Sequence, residues 1–277
     1  MQKNLPKGVF VKKGKKPGKT VAIFGGIHGN EKVGVKMLDI LRKKLKVKAG
    51  TVYLVYGNPQ AIKQNKRFIE KNLNRCFRKD NQGKTIEDER ARELMDVLDK
   101  CDALLDLHSF TNPDGQSFSI CEDNMFEIAN RVDAPVVSFG WTDIIKGAAG
   151  SYMYSNNKMS LSLEAGSHLK IKESLKRARL AVDVFLKYFG CVAKTIVIDK
   201  KPKRYVRARE TVIRKDKSIK FIKKYKNFDS LREGEIFAVE KDKKFIAKEK
   251  ECIILPTPNE PIGGEICILG EIIENKK

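Results

Sequence analysis

Between Thr20 and about Gly190, short apolar runs alternate with amphipathic stretches. Val21–Gly25 is a β-branched run of strand type. From Glu31 to Leu45, apolar residues fall at Val33, Met37, Ile40, Leu41 and Leu45, the spacing of one helix face. Thr51–Tyr56 reads as a second strand, stopped by Gly57-Asn58-Pro59. Thr85 opens a helix: its Thr85-x-x-Asp88 box and the acids Glu87 and Glu89 suit an N-terminus, and Leu94, Val97 and Leu98 supply a buried face. Ala103–His108 reads as a buried strand, and Ser117–Cys121, Val136–Phe139 and Leu161–Glu164 as further strands. Lys170 to Phe189 predicts a long helix. Such alternation predicts an α/β fold, a mixed, largely parallel sheet with helices on both faces.

The texture changes after Gly190. Short, alternating runs follow: Thr195–Ile198, Tyr205–Ile213, Ile219–Ile222, Ile236–Val239, Phe245–Ala247, Glu251–Leu255 and Glu265–Leu269. Turns such as Glu233-Gly234 and Gly263-Gly264 divide them, which predicts a small all-β barrel or sandwich. The expected division is a catalytic domain over 1–192 and a β-rich C-terminal domain over 193–277. Residues 1–20 are lysine-rich and read as an arm or edge strand leading into the core.

Composition narrows this picture little. A chain of 277 residues can bury a full core. No apolar run approaches the ~18 residues of a spanning helix, and Lys12 to Thr20 is polar where a signal peptide would be apolar, so no membrane association and a cytoplasmic location are expected. Six scattered cysteines without a Cys-x-x-Cys pair read as free core thiols and argue against a structural zinc ribbon. With 56 basic residues against 35 acidic ones the net charge is +21, which attracts anions. Few aromatics are interleaved with the basic runs, so the lysines read as solvated helix faces rather than a nucleic-acid platform.

Candidate chemistry sits at the ends of predicted strands. Gly25-Gly26-Ile27-His28-Gly29-Asn30-Glu31 follows the first strand, and His108 closes another. In open α/β sheets sites form beyond the carboxyl ends of strands, so His28, Glu31 and His108 fall on one rim. Imidazole and carboxylate suit Zn²⁺, and a catalytic site uses three protein ligands. His28 alone reads as a loop histidine and Glu31 alone as a first-turn acid; for the three together the metal reading prevails. Alternation puts Asp106 on the same side as His108, where it either orients that imidazole or is a buried acid satisfied by backbone amides. The segment Arg67 to Phe77 interleaves Arg67, Asn74 and Arg75, types that bind carboxylates. Glu164 lies at the end of an apolar strand, where an acid is costly without a task or a partner; it is a general base or the partner of an arginine. His168, in a loop, is expected at the surface or behind the ligands.

Four segments, Gly26-x-His28-Gly29-Asn30-Glu31, Asn72-Leu73-Asn74-Arg75-x-Phe77, Asp106-Leu107-His108 and Glu164-Ala165-Gly166, together resemble the succinylglutamate desuccinylase/aspartoacylase family, a branch of the zinc carboxypeptidase-like fold. The resemblance covers the first 190 residues in order and spacing, and the β-rich remainder resembles the family's small second domain. It implies that His28, Glu31 and His108 hold one zinc ion. It also implies that Glu164 is the general base and then protonates the leaving amine, that Arg67 polarises the scissile carbonyl, and that Asn74 and Arg75 hold the substrate carboxylate. Two positions depart. The aspartate that often opens the Asp-x-Asn-Arg motif is Asn72. The arginine that aspartoacylases carry about ten residues before the base is missing from Tyr152-Met153-Tyr154-Ser155-Asn156-Asn157.

The resemblance therefore implies a zinc-dependent hydrolase that cleaves the amide of a small anionic N-acyl amino acid, a deacylase, with N-acetylaspartate itself not implied. The same catalytic set allows a metallocarboxypeptidase acting on peptides. The charge allows a basic polyanion- or nucleic-acid-binding protein with a non-catalytic metal site, ranked last because a charge bias is cheap to acquire. A homo-oligomer is left open.

Overall fold

The computed structural model describes residues 5–193 and 202–274. The first half builds β1 (Val9–Lys13), β2 (Lys16–Gly25), α1 (Lys32–Lys44), β3 (Ala49–Tyr56), α2 (Pro59–Gln64), α3 (Ile86–Leu98) and β4 (Ala103–Phe110). Then come β5 (Phe118–Cys121), α4 (Phe126–Ala129), β6 (Val136–Phe139), α5 (Trp141–Ile144), α6 (Ala149–Ser155), β7 (Met159–Ser167) and α7 (Ile171–Tyr188). The rest is strand: β8 (Arg204–Ile213), β9 (Lys220–Phe221), β10 (Asp229–Ser230), β11 (Ile236–Glu240), β12 (Lys243–Ile246), β13 (Glu251–Ile254) and β14 (Glu265–Ile273). The expected strand Thr195–Ile198 lies outside the described residues.

A sheet of 11 strands in the order β1-β3-β2-β4-β7-β5-β6-β8-β14-β13-β10 runs through the molecule. Its centre, β3-β2-β4-β7, is parallel. Along β2, Val21 and Ile23 enter one buried cluster with Leu38 and Leu41 of α1 and Val182 and Phe185 of α7. Ala22 and Phe24 enter the opposite one with Leu94 and Leu98 of α3 and Met153 of α6. Burial on both faces is why these strands read as continuous apolar runs rather than alternating ones. The lysine-rich N-terminal segment supplies β1, an antiparallel edge strand on β3.

The β-rich remainder is antiparallel, with β8, β14, β13 and β10 paired in turn and β12-β11-β9 forming a second, three-stranded sheet. Val212, Phe237, Ile253 and Cys267 are among the residues of its own cluster. Its first strand also pairs in parallel with β6, so the main sheet is continuous into this region. All six cysteines are buried, and none is joined to another in a disulfide. Among the described residues no helix is long and apolar enough to cross a membrane.

Two glycines set the distance between α1 and the sheet. A Cβ on Gly34 would lie 2.6 Å from the Leu107 carbonyl oxygen and 2.8 Å from the Gly25 Cα. The bare contact lets the start of α1, and with it Glu31, settle against the ends of β2 and β4.

Candidate metal centre and active site

The carboxyl ends of β2, β4 and β7 share one rim, and the expected metal ligands meet there. Glu31, the N-cap residue of α1, makes no capping bond; its carboxylate turns between the two histidines instead. Glu31 Oε1 lies 2.6 Å from His28 Nδ1 and Oε2 lies 3.0 Å from His108 Nδ1. The three are buried and their ligand atoms lie within 4.8 Å of one another. The Ser109 amide donates to Glu31 Oε2 at 3.0 Å and Arg67 Nη1 to Oε1 at 3.4 Å.

Each imidazole is held from behind. His28 Nε2 lies 3.0 Å from Asn72 Oδ1, and His108 Nε2 lies 2.9 Å from Asp106 Oδ2. With Nε2 as the donor on each ring, the two Nδ1 atoms, both facing the Glu31 carboxylate, would be the ligating nitrogens. That is the arrangement in which outer carboxylates and carbonyls orient metal-bound histidines. Two imidazole nitrogens and a carboxylate, converging and oriented in this way, fit a zinc ion. Of the two readings of Asp106, the structure favours the orienting one: its Oδ1 is buried without a partner and its Oδ2 faces His108.

The backing groups differ in charge, and the titration follows. Burial, then the nearby Arg67, push His28 down to about 4. Burial works against a charge on His108 too, but the Asp106 and Glu31 carboxylates hold it well above its ordinary value. Burial works to raise Glu31, and the facing imidazoles nevertheless hold it well below the usual carboxylate range.

Glu164 on β7 is the register partner of His108 on β4, which brings it beside the ligand set. Burial pushes its carboxyl up to about 8. His168 is half-buried in the same cavity wall, and its Nδ1 is enclosed without a partner.

The Arg67–Phe77 segment is organised from below by a residue that sequence reading gave another purpose. Glu87, in the first turn of α3, is fully buried. Its Oε1 accepts from the Ile69 amide at 2.7 Å and from Asn58 Nδ2 at 2.9 Å; its Oε2 accepts from the Glu70 and Lys71 amides, both at 3.2 Å. The expected capping box beside it is present, with Thr85 and Asp88 bonded reciprocally. Asn74 Oδ1 accepts from the Ala149 amide at 3.0 Å, which leaves its Nδ2 for a ligand. Arg75 is engaged by the β-rich region: Nε donates to Glu265 Oε1 at 3.0 Å and Nη2 to Glu265 Oε2, while Nη1 donates to the Asn74 carbonyl at 2.7 Å.

All of these expected residues, His28, Glu31, Arg67, Asn74, Arg75, His108 and Glu164, line one cavity of about 860 Å³. Asn72 and Glu265 line it too, with Glu87 buried behind the Arg67–Phe77 segment. Glu87 looked like an ordinary helix-dipole acid, and nothing local marks Glu265, whose partner is 190 positions away.

Comparison with known proteins agrees with this geometry. Residues 17–189 match the family model of the succinylglutamate desuccinylase/aspartoacylase catalytic domain. A probable aspartoacylase of Nostoc sp. is 33% identical over 53% of this chain and 55% of its own length. The chain thus spans about half the length of that relative. A succinylglutamate desuccinylase of Vibrio cholerae is 26% identical over 91% of this chain and 80% of its own. A crystal structure of succinylglutamate desuccinylase from Vibrio cholerae shares the fold, with a TM-score of 0.80 and 22% identity over 95% of this chain and 85% of that one. With the family model matched across most of the α/β region and all four motifs drawn into one cavity, the chain belongs to the succinylglutamate desuccinylase/aspartoacylase family.

Proposed function

We propose that this protein is a cytoplasmic zinc-dependent amidohydrolase that cleaves the amide of an N-acyl amino acid, releasing a carboxylate and a free amino acid. The observation that carries the reading is the convergence of His28, Glu31 and His108 beside a buried Glu164. The names of the relatives, aspartoacylase and succinylglutamate desuccinylase, agree with it. Residues 1–192 are read as the catalytic domain and 193–277 as a β-rich domain that closes the cavity.

His28, Glu31 and His108 would hold one Zn²⁺ per chain, with Asn72 and Asp106 keeping the imidazoles in their ligating tautomers. Bound there, zinc supplies a Lewis acid for the acyl carbonyl and lowers the pKa of water. Glu164 takes the proton of the attacking water on a carboxylate oxygen and returns it to the leaving nitrogen. Its raised affinity for a proton in the buried wall suits a group that must both accept and give one. The Arg67 guanidinium, held at the mouth by Glu31, faces the oxyanion as charge develops. Asn74 Nδ2 orients the substrate carboxylate; Arg75, expected from the resemblance to share that task, is taken up by Glu265 and holds the Asn74 carbonyl instead.

Metal analysis with an N-acyl amino-acid hydrolysis screen tests the proposal. Glu164→Gln should keep about one zinc per chain and lose most of its turnover, by about 10²–10⁴-fold for a positioned acid–base group. His28→Ala should lose the metal itself. An active Glu164→Gln enzyme would sink the mechanism.

A further inference from the structure

We infer that the substrate of this site is an N-acyl amino acid with a single carboxylate and an uncharged side chain, because Glu265 closes the Arg75 fork and leaves the wall one guanidinium, Arg67, to face a ligand. The inference deepens the amide-hydrolase proposal and rests on it. Arg75 gives Nε and Nη2 to the two oxygens of Glu265 and Nη1 to the Asn74 carbonyl, so its fork is closed by the protein itself. Glu265 is not on a loose loop. It opens β14 in register with Ile213, and its carbonyl accepts from Thr257 Oγ1 at 2.8 Å. The internal carboxylate is therefore built into the wall.

No other wall cation is spare. Among the described residues the remaining lysine and arginine of the cavity are Lys71, which faces Asp88 at 3.1 Å, and Arg67, which faces Glu31 at 3.4 Å. Arg67 serves the reacting carbonyl or the α-carboxylate, so one substrate carboxylate is all that this wall can neutralise. An unpaired second carboxylate would be desolvated against Glu122 and Glu265, which is expensive.

Two of the wall's hydroxyl groups deepen the bias. Ser160 Oγ donates to the Gly150 carbonyl at 3.1 Å, and Ser151 Oγ donates to the Ile145 carbonyl at 2.9 Å. Their protons are spent on the backbone, so they offer lone pairs to a ligand rather than donors. Glu122 likewise presents acceptors, pinned by the Gly140 and Thr142 amides at 3.0 and 2.9 Å. Ile120, Ile145 and Ile268 line the same cavity. That stretch of the wall receives an apolar side chain or the N–H groups of a carboxamide, and sets a carboxylate against lone pairs.

The test compares isosteres on the zinc-loaded protein: N-acetyl-L-asparagine with N-acetyl-L-aspartate, N-acetyl-L-glutamine with N-acetyl-L-glutamate, and Nα-acetyl-L-lysine as the cationic arm. The amide member of each pair should have the higher kcat/KM by about tenfold or more, as expected where a site leaves a charge unpaired. Glu265→Gln should move each ratio toward the acid by a similar factor, since Arg75 is then released; a merely structural Glu265 would lower all rates together and leave the ratios unchanged. Acids equal to or ahead of amides in the wild type, lysine ahead of both, or ratios unmoved in the variant would overturn the inference. Calorimetric binding of free asparagine and aspartate needs no turnover. If no N-acyl amino acid is hydrolysed, the reaction proposal fails while the binding ratio still decides this one, and binding of neither at millimolar concentration overturns it too.

Discussion

Glu87→Gln separates the support of the site from its chemistry. The buried carboxylate gathers the Ile69, Glu70 and Lys71 amides and the Asn58 side chain, and it sits in the positive first turn of α3. A glutamine keeps one acceptor oxygen. Turned to hold the 2.7 and 2.9 Å partners, it places an NH₂ group against the Glu70 and Lys71 amides at 3.2 Å, donor facing donor. Two bonds to a charged acceptor are lost, each worth about 1.5–3 kcal/mol. Taking the lower value because both are long, the expected loss is about 3 kcal/mol, a large share of the ~5–15 kcal/mol that holds a domain. Arg67 and the Asn72–Arg75 turn flank the anchored amides, so their positions should relax. Misplacement of about 1 Å costs on the order of 10²-fold in rate, whereas zinc content should hold because no ligand lies in the loop. Chemical denaturation, kcat/KM and metal content on one preparation check this, with Glu89→Gln as control, an exposed acid of the same turn. A Glu87→Gln protein within about 1 kcal/mol of wild type and equally active would refute the reasoning.

Three further outcomes are expected. Asn72→Asp puts a carboxylate behind His28 to match Asp106 behind His108. Outer partners of this kind change affinity by about 10–100-fold, so zinc Kd should fall by about tenfold in a chelator competition, and an unchanged Kd would show that Asn72 does not govern the ligand. For Asp88, burial works against ionisation, but bonds from Thr85 and Lys71 hold the carboxyl well below its ordinary 3.8. A depressed folded value means stability that is present above 3.8 and drains away as pH falls below it, so Asp88→Asn should be less stable at neutral pH and lose less on acidification, in denaturation curves run from pH 7 to 2. Gly34→Ala would force a Cβ to within 2.6 Å of the Leu107 carbonyl; overpacking of this kind costs about 1–3 kcal/mol, and a melting temperature equal to wild type would rule it out.

The α/β half was legible because both of its signals are local. Helix periodicity places α1 and α7, and strands buried on both faces read as unbroken apolar runs. The clustering of His28, Glu31 and His108 was legible because strand-end positions fix where side chains emerge. The short helices α2, α4, α5 and α6 were not, being too brief for a period to develop; α2 hid behind Asn58, read as a strand stop, whose side chain accepts from the Ala61 amide to cap it. The parallel pairing of β8 with β6 joins segments whose residues carry no mark of one another. Long-range pairs of the Arg75–Glu265 kind escape for the same reason: an exposed-looking acid in a turn-rich segment has many ordinary explanations.

The cavity divides its labour between regions of the chain. In the proposed reading, proton transfer and metal holding fall to the rim of β2, β4 and β7, whereas Leu255, Ile262, Glu265 and Ile268 of the β-rich region line the same cavity. Substitutions in that wall can alter which ligand is admitted while every group that breaks the bond stays in place. A lineage with this architecture can exchange its diet without rebuilding its catalyst.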